Sequence, residues 1–237
     1  MSLTCMLGLG LMLLSGAAET NVFTDAAWLR DPVFIKVPII NVFHREKEPD
    51  PKFSGPQNVH TLFRKEVTLR AKPSQALLYI TGDDYYKFFV NGSFVVQGPE
   101  SGFPWAYPYY FLDVTDFFDA GPNCLASHAY YQGLKNRAWV SADNRSGFML
   151  ALDLTYPDGS KERIVTDPSW RCFQLQAFPT SDPIEPKIQF PENIDQRLLP
   201  MGWRQKGFND TAWLAPLVGA QDHVFVKQLT PPLQHVV

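Results

Sequence analysis

The stretch of sequence that decides the fold is residues 85–97, which read YYKFFVNGSFVVQ. Side chains of a β-strand alternate between two faces, so Tyr86, Phe88 and Val90 share one face of the first half. Asn91-Gly92 then supplies two residues that tolerate the positive φ angles of a type I′ hairpin turn. The pattern predicts two antiparallel strands joined by a two-residue turn.

Similar short runs, separated by turn residues, occupy most of the remaining sequence. They predict further strands at 63–69, 76–81, 109–114, 124–131, 138–141, 147–155, 162–165 and 170–176. Helical patterns are confined to single turns near 116–119 and 209–213. Many short strands with little helix indicate an all-β fold, either a β-sandwich or a jelly roll.

The composition supports a folded domain and excludes several classes of protein. Of the 237 residues, 45% are hydrophobic and 14% are aromatic, which excludes a disordered chain. The formal net charge is −3, and the lysines and arginines are scattered along the chain. The sequence therefore has no charge signature of a nucleic-acid-binding protein.

The first 20 residues resemble a secretion signal. The apolar run 6–14 precedes the small residues 15–18, and it is too short to span a membrane comfortably. We therefore expect a signal peptide over 1–20, a secreted or periplasmic location and no membrane span in the mature chain. No Lys or Arg precedes the run, which leaves open a misassigned start codon or a cytosolic chain with an apolar leader.

The remaining sequence divides into an arm, a main domain and a short tail. We predict an irregular or single-stranded N-terminal arm over 21–60, a β-sandwich domain over 61–230 and a tail over 231–237. Removal of the leader would also remove Cys5 and leave Cys124 and Cys172. These two form either a disulfide or a pair of buried free thiols, and we prefer the second alternative.

A series of short motifs gives the sequence its family resemblance. They are YITGDDYYK at 79–87, VNG at 90–92, GP at 98–99, DVT at 113–115, GPN at 121–123, YYQGL at 130–134, NRAWVS at 136–141, RSG at 145–147, QFPENIDQR at 189–197 and GFNDTAW at 207–213. The succession resembles the N-terminal β-sandwich of bacterial α-L-rhamnosidases, the family 78 glycoside hydrolases, over roughly residues 60–215. The resemblance implies a galactose-binding-like variety of the sandwich.

In that family the hydrolytic chemistry belongs to a helical (α/α)6 barrel further along the chain, and this sequence ends without one. We therefore expect this chain alone not to be an enzyme and its parent protein to be a glycoside hydrolase. The leading hypothesis is an accessory or carbohydrate-binding module, whose partner is a rhamnose-containing glycan or a helical catalytic domain. The alternatives are a purely structural interaction domain and a fragment of a full α-L-rhamnosidase that hydrolyses terminal α-L-rhamnosides.

Sugar recognition combines aromatic rings, which stack on pyranose C–H faces, with planar polar groups that bond hydroxyls. Two aromatic-rich stretches, 103–109 and 130–139, offer that combination. Their rings could equally fill the core or face a catalytic domain. The candidate carbohydrate-binding residues are Trp105, Tyr107, Tyr131, Gln132, Asn136 and Arg137.

No catalytic or cofactor site is predicted. Inverting glycosidases need two carboxyl groups roughly 6.5–9.5 Å apart, and the candidate pairs are Asp83 with Asp84 and Glu192 with Asp195. For the first pair we expect turn chemistry, and for the second a pairing with Arg197 or Arg204. Calcium occurs in related sandwich folds, but no ligand set for calcium or another metal is readable in the sequence.

Overall fold

The computed structural model describes residues 21–40, 55–134, 141–179, 181–184, 189–219 and 222–232. Within these residues, strands dominate and helix is limited to single 3-10 turns at Pro32–Phe34, Thr115–Phe117 and Gln196–Leu198. The strands are β1 Trp28–Arg30, β2 Val59–Leu69, β3 Gln75–Asp83, β4 Tyr85–Val90, β5 Ser93–Gly98, β6 Tyr107–Asp113, β7 Gly121–Tyr131, β8 Gly147–Thr155, β9 Lys161–Val165, β10 Arg171–Gln174, β11 Leu217–Gly219 and β12 Phe225–Lys227.

The strands form two sheets packed face to face. The seven-stranded sheet has the order β11-β1-β8-β3-β6-β12, with β9 pairing on β8, and the five-stranded sheet has the order β10-β2-β7-β4-β5. The pairings are antiparallel except for β12, which lies parallel to β6. The all-β sandwich predicted from the sequence is confirmed.

The main core lies between the two sheets. Ile80 and Phe148 enter it from the seven-stranded sheet, and Phe63 and Phe88 enter it from the five-stranded sheet. The Phe63 and Phe148 rings stack with centroids 5.8 Å apart. Alternate residues of the same strands face outward, so each sheet also has an outer face on which later parts of the chain pack.

The hairpin at residues 85–97 forms as predicted. Strand β4 ends at Val90, β5 begins at Ser93, and the connecting Asn91 and Gly92 have φ angles of 51° and 84°. The Asn91 side chain also accepts a hydrogen bond from the Cys124 N–H at 2.9 Å. The turn is therefore tied to β7 as well as closing its own hairpin.

The region predicted as an N-terminal arm contributes to the sandwich. Strand β1 pairs with β11 along three residues and with β8 at Leu29–Phe148. Trp28 and Leu29 are both buried. The single-stranded alternative for this region matches the structure better than the irregular one, because a strand at the sheet buries these two side chains.

Other predicted segments differ from the structure or lie outside it. The helical turn expected at 209–213 is an irregular turn, closed by a 2.9 Å hydrogen bond from Trp213 N–H to the Asp210 carbonyl. The predicted signal peptide and most of the predicted strand 138–141 lie outside the described residues. Among the described residues, no helix has the length and apolar character needed to cross a membrane.

The two remaining cysteines are free thiols, so the disulfide alternative is wrong. Cys172 belongs to the core cluster between the sheets, whereas Cys124 packs with Phe89 and Ala126 on the outer face of the same five-stranded sheet. Side chains on opposite faces of one sheet point away from each other and cannot be bridged.

Candidate functional site

A pocket of about 750 Å³ lies on the outer face of the five-stranded sheet. We call it the sheet pocket. Its floor comes from β2, β4, β5 and β7, and its wall comes from the segment that crosses outside the sheet. The lining residues are Asn58, His60, Tyr85, Tyr86, Lys87, Gln97, His128, Tyr130, Gln132, Phe178, Ile184 and residues 189–194.

Strand register brings the floor residues together. Tyr130 of β7 lies opposite His60 of β2 on one side and opposite Tyr85 of β4 on the other. Two residues along, Lys87 lies opposite both His128 and Gln97. Neighbours of these residues, such as Phe88 and Ala129, point into the core, so the period of two places the pocket residues on the outer face.

Aromatic rings stack across the floor of the sheet pocket. The His60 ring lies 3.9 Å from Phe178 and 4.3 Å from Tyr130, with interplanar angles of 12° and 22°. Tyr85 and Tyr130 are near-parallel, with centroids 6.4 Å apart. The Phe178 contact attaches the crossing segment to the sheet and completes one side of the pocket.

Two histidines form a neutral pair in this floor. His60 Nδ1 lies 3.0 Å from His128 Nε2, so one ring donates a hydrogen bond to the other. Burial, with a smaller contribution from the positive charge of Lys87, lowers the pKa of His60 to about 3 and that of His128 to about 4. Both imidazoles are therefore uncharged at neutral pH.

The remaining lining is polar and includes several side-chain amides. Asn58 and Gln132 are buried at the pocket, Gln97 is partly exposed, and Gln189 and Asn193 are exposed. A side-chain amide carries both a donor and an acceptor group, which suits it to vicinal hydroxyls. Lys87 and Glu192 add one charge of each sign, so the pocket has no strong net charge.

A second polar group lies buried at one end of the sandwich. Asp84 Oδ2 accepts hydrogen bonds of 2.7 Å from the Gln132 N–H and the Ser141 hydroxyl. Asp83 Oδ2 lies 3.2 Å from His223 Nε2. The partners come from distant parts of the chain, so the turn chemistry predicted for Asp83 and Asp84 is wrong.

Burial dominates the electrostatics of these two carboxyls. Burial, together with the nearby Asp143 charge, raises the pKa of Asp83 to about 8. It also raises the pKa of Asp84 well above its usual range, with a contribution from the Asp83 charge. Both residues are buried, so neither presents a carboxylate to a glycan at the surface.

The candidate binding residues from the sequence do not form one surface. Trp105 is 53% exposed and stacks on Phe103 with centroids 5.0 Å apart. Tyr107 and Tyr131 are buried: the Tyr107 hydroxyl donates to the Gly82 carbonyl at 3.1 Å, and the Tyr131 hydroxyl accepts from the Asn144 N–H at 2.8 Å. Neither ring is available as a surface platform, because each lies in the interior.

Gln132 differs from the two tyrosines, because it lines the sheet pocket although it is buried. Asn136 and Arg137 lie outside the described residues. Of the second carboxyl pair, Asp195 accepts a 2.6 Å bond from Arg197, which is one of the pairings predicted, and Glu192 lines the pocket.

His60, His128 and Phe178 line the pocket, although nothing in the sequence marks them as pocket residues. The alternation of Tyr85 and Lys87 with core residues is visible in the sequence, but the pairing of β4 with β7 is not. No spacing signal connects His60 with His128, which are 68 residues apart.

Comparison with known proteins assigns the family. The family model described as alpha-L-rhamnosidase N-terminal domain matches residues 71–236. The chain belongs to this family. The match covers most of the sandwich, including β3 to β12, so the resemblance noted in the short motifs is confirmed.

Relatives and solved structures agree with the family assignment. An α-L-rhamnosidase of Streptomyces avermitilis is 31% identical over 177 residues, which cover 69% of this chain. The crystal structure of Streptomyces avermitilis α-L-rhamnosidase complexed with L-rhamnose superposes with a TM-score of 0.65 at 26% identity over 76% of this chain. The family 78 rhamnosidase of Bacillus sp. GL1 has the same fold, with a TM-score of 0.65 at 24% identity over 88% of this chain.

The α-L-rhamnosidase N-terminal domain accounts for a small part of each of these proteins. This chain spans 16% of the Streptomyces relative, 18% of the crystallised Streptomyces chain and 20% of the Bacillus chain. The relatives are therefore much larger proteins that contain a domain like this one.

Proposed function

We propose that this chain is a non-catalytic carbohydrate-binding domain of an α-L-rhamnosidase-like glycoside hydrolase and that it takes a rhamnose-containing glycan in the sheet pocket. The observation that carries the proposal is the pocket lining, which joins aromatic rings to side-chain amides. Ligand pockets typically have volumes of roughly 300–1,000 Å³ and combine apolar walls with a few polar groups. The sheet pocket, at about 750 Å³, falls within that range.

Each part of the lining has a counterpart in a deoxy sugar. The rings of Tyr85, Tyr130 and Phe178 offer apolar surface for pyranose C–H groups and for the C6 methyl of rhamnose. The amides of Gln97 and Asn193 offer paired donors and acceptors to the ring hydroxyls. Because the pocket is nearly balanced in charge, its lining favours a neutral glycan over a strongly charged one.

We place the hydrolysis of terminal α-L-rhamnosides in the parent protein and outside this chain. The relatives support this placement. They are named α-L-rhamnosidases, and the region that matches this chain is a small share of their length. The carboxyl groups add support, because Asp83 and Asp84 are buried and Asp195 is paired with Arg197. A glycosidase needs two carboxyl groups that reach the same substrate.

A second candidate function is a structural one, in which the domain packs against a helical catalytic domain. The exposed pair Phe103 and Trp105 favours this alternative, since stacked aromatic rings at a surface are typical of interfaces. Binding of glycan by the isolated chain distinguishes the two functions, because a purely structural domain has no glycan affinity.

Isothermal titration calorimetry of the chain with methyl α-L-rhamnoside and with a rhamnose-containing disaccharide tests the proposal. Methyl α-L-mannoside, which adds a hydroxyl at C6, is the matched ligand control. We expect Gln97→Ala and Asn193→Ala each to weaken binding about tenfold, because a lost hydrogen bond contributes roughly 0.5–1.5 kcal/mol. Gln176→Ala is the matched control variant, because Gln176 is exposed and lies outside the pocket lining.

Three results would contradict parts of this proposal. Undetectable binding at millimolar ligand would overturn the glycan-binding role, and equal affinities for both pocket variants and the control would overturn its placement in the sheet pocket. Release of nitrophenol from a chromogenic α-L-rhamnoside by the purified chain would overturn the non-catalytic assignment.

A further inference from the structure

The segment 222–228, which we call the C-terminal strap, lies along one edge of the seven-stranded sheet. Its strand β12 pairs with β6 over only three residues. Further hydrogen bonds join Tyr107 N–H to the Val224 carbonyl at 2.8 Å, Val224 N–H to the Pro104 carbonyl at 2.6 Å and Gln228 N–H to the Tyr109 carbonyl at 2.8 Å. Val224 itself is 58% exposed, so the strap is a thin edge element.

One side chain of the strap, His223, is buried in the interior at one end of the sandwich. The His223 side chain is 1% exposed and lies between Trp28 and Tyr107, with ring centroids 4.9 Å and 4.3 Å away. Its Nε2 atom lies 3.2 Å from Asp83 Oδ2. The strap therefore meets the buried carboxyl group described above through one imidazole.

The buried carboxyls have fewer donors than they need when ionised. Within the described part of the chain, Asp83 Oδ1, Asp84 Oδ1 and His223 Nδ1 have no hydrogen-bond partner. A buried carboxylate without a cation or a full set of donors is strongly disfavoured.

The two arginines near Asp83, Arg145 and Arg30, form hydrogen bonds with other groups. Arg145 donates to Asp143 at 2.9 Å and makes two 2.8 Å bonds to Asp222. Arg30 donates to the carbonyls of Asn144 and Ser146. The titratable and charged groups that face His223 and Asp83 are Asp84 from the β3–β4 junction, Tyr107 from β6, Tyr131 from β7, Asp143 and Arg145 from the segment before β8, Arg30 from β1 and Asp222 from the strap.

We propose that the C-terminal strap is a proton-operated latch, which stays on the sheet edge while Asp83 holds a proton against a neutral His223 and which leaves the edge when Asp83 ionises. In the docked state the protonated Asp83 carboxyl donates to His223 Nε2. Loss of that proton places a second negative charge beside Asp143, and the committed arginines do not neutralise it. Opening of the strap hydrates Asp83 and removes this penalty.

The direction of the pH dependence follows from the two shifted groups. Burial raises the pKa of Asp83 to about 8, so its contribution to docking is fully present below its ordinary value and is lost as the pH rises through about 8. Burial lowers the pKa of His223 to about 4, so its contribution is present above the ordinary histidine value and is lost as the pH falls through about 4. Docking is therefore strongest in the mildly acidic range and weakens on the alkaline side.

Amide hydrogen exchange tests the latch, with each rate normalised to the intrinsic exchange rate at its pH. The Val224 and Gln228 amides report on the strap. Strand β11 is the matched reference, because it is also a three-residue strand at an edge of the same sheet. We expect protection of the two strap amides to fall about tenfold per pH unit between about 6.5 and 8 and to level off above 8, while β11 stays constant. Protection of the strap that does not change between pH 6 and 10 would overturn the proposal.

The variant Asp83→Asn separates the latch from general alkaline unfolding. The amide is nearly isosteric with the protonated carboxyl and cannot ionise, so we expect the alkaline loss of strap protection to disappear. An alkaline loss that persists unchanged in D83N would contradict the latch. If D83N does not fold, the ¹³C carboxyl shift of Asp83 in the unaltered chain decides, because an ionised Asp83 at pH 6 also overturns the proposal.

Discussion

His60 Nδ1 lies 3.0 Å from His128 Nε2 across the β2–β7 strand pair, and the two rings form part of the floor of the sheet pocket. The pair is flanked by Phe178 and Tyr130, which stack on the His60 ring. Two neighbouring imidazolium ions would repel each other, so this arrangement requires that at most one of the two rings is charged.

The first prediction concerns the titration of this histidine pair. Burial lowers the pKa of His60 to about 3 and that of His128 to about 4, so neither ring is expected to titrate between pH 5 and 8. Both pKa values lie below the histidine pKa in the unfolded chain. The two histidines therefore contribute to stability above about pH 6.5, and this contribution is lost as the pH falls through 4 and then 3. NMR titration of the ring C–H resonances measures the two pKa values directly.

The chain in denaturant is the control for that titration, because both histidines are then expected to titrate near pH 6.5. A native resonance of either residue with a midpoint near 6.5 would show that the pair is solvated. Glycan affinity is expected to be constant from pH 5 to 8, since the floor does not change charge in that range.

The second prediction concerns Arg64, a buried cation on the outer face of the five-stranded sheet. Its guanidinium bonds the Trp203, Gln205 and Phe208 carbonyls and pairs with Glu66 and Asp210. Arg64→Met leaves these acceptors without their donor, and we expect the free energy of unfolding to fall by about 3 kcal/mol. Urea denaturation followed by tryptophan fluorescence measures the change.

Arg197→Met is the matched control for Arg64. Arg197 also pairs with an aspartate, Asp195, but its side chain is 89% exposed, so we expect no measurable loss of stability. Equal effects of the two substitutions would contradict the structural role assigned to Arg64.

The third prediction concerns the two buried thiols. Cys124 and Cys172 lie on opposite faces of one sheet, and burial raises the pKa of the Cys172 thiol to about 12. In a Cys5→Ser background we expect neither thiol to react with a water-soluble aromatic disulfide reagent until the chain unfolds. Mass spectrometry of the oxidised native chain checks the geometry, and a Cys124–Cys172 bond formed without denaturant would refute it.

The fourth prediction concerns the β4–β5 turn. Asn91 combines a φ angle of 51° with side-chain bonds to Cys124 N–H, the Phe117 carbonyl and Asn123. Asn91→Ala loses these bonds and retains the strained backbone, and we expect it to cost about 3 kcal/mol. Asn91→Gly loses the same bonds but relieves the backbone, so we expect it to cost about 1 kcal/mol less. Thermal unfolding of both variants measures the difference, and an alanine variant as stable as the unaltered chain would contradict this account.

The contrast between the hairpin and the pocket shows what the sequence could and could not predict. The Asn91-Gly92 turn is local, because two adjacent residues and their flanking alternation determine it. Whether the Tyr107 and Tyr131 side chains point into the interior or to the surface depends on which strands pair with β6 and β7 and on how the two sheets stack. Aromatic content in a turn-rich stretch therefore indicated binding for two rings that the structure places in the interior.

The sheet pocket was beyond prediction for the same reason. It depends on the register of His60, Tyr130 and Tyr85 across three strands and on the contact of Phe178 with the sheet from outside. Long-range pairing of this kind leaves no short-range pattern in a single sequence. The family resemblance, by contrast, rested on short motifs in a fixed order and was confirmed over residues 71–236.

Mapping a glycan onto the chain by NMR tests the central claim most directly. The measurement is a titration of the ¹⁵N-labelled chain with a rhamnose-containing disaccharide, followed through backbone amides and the side-chain amides of Gln97 and Asn193. The account predicts saturable shifts concentrated on the sheet-pocket residues, with those of strand β9 on the other sheet unchanged. Saturable shifts that cluster away from the pocket, or no shifts at millimolar glycan, would contradict it.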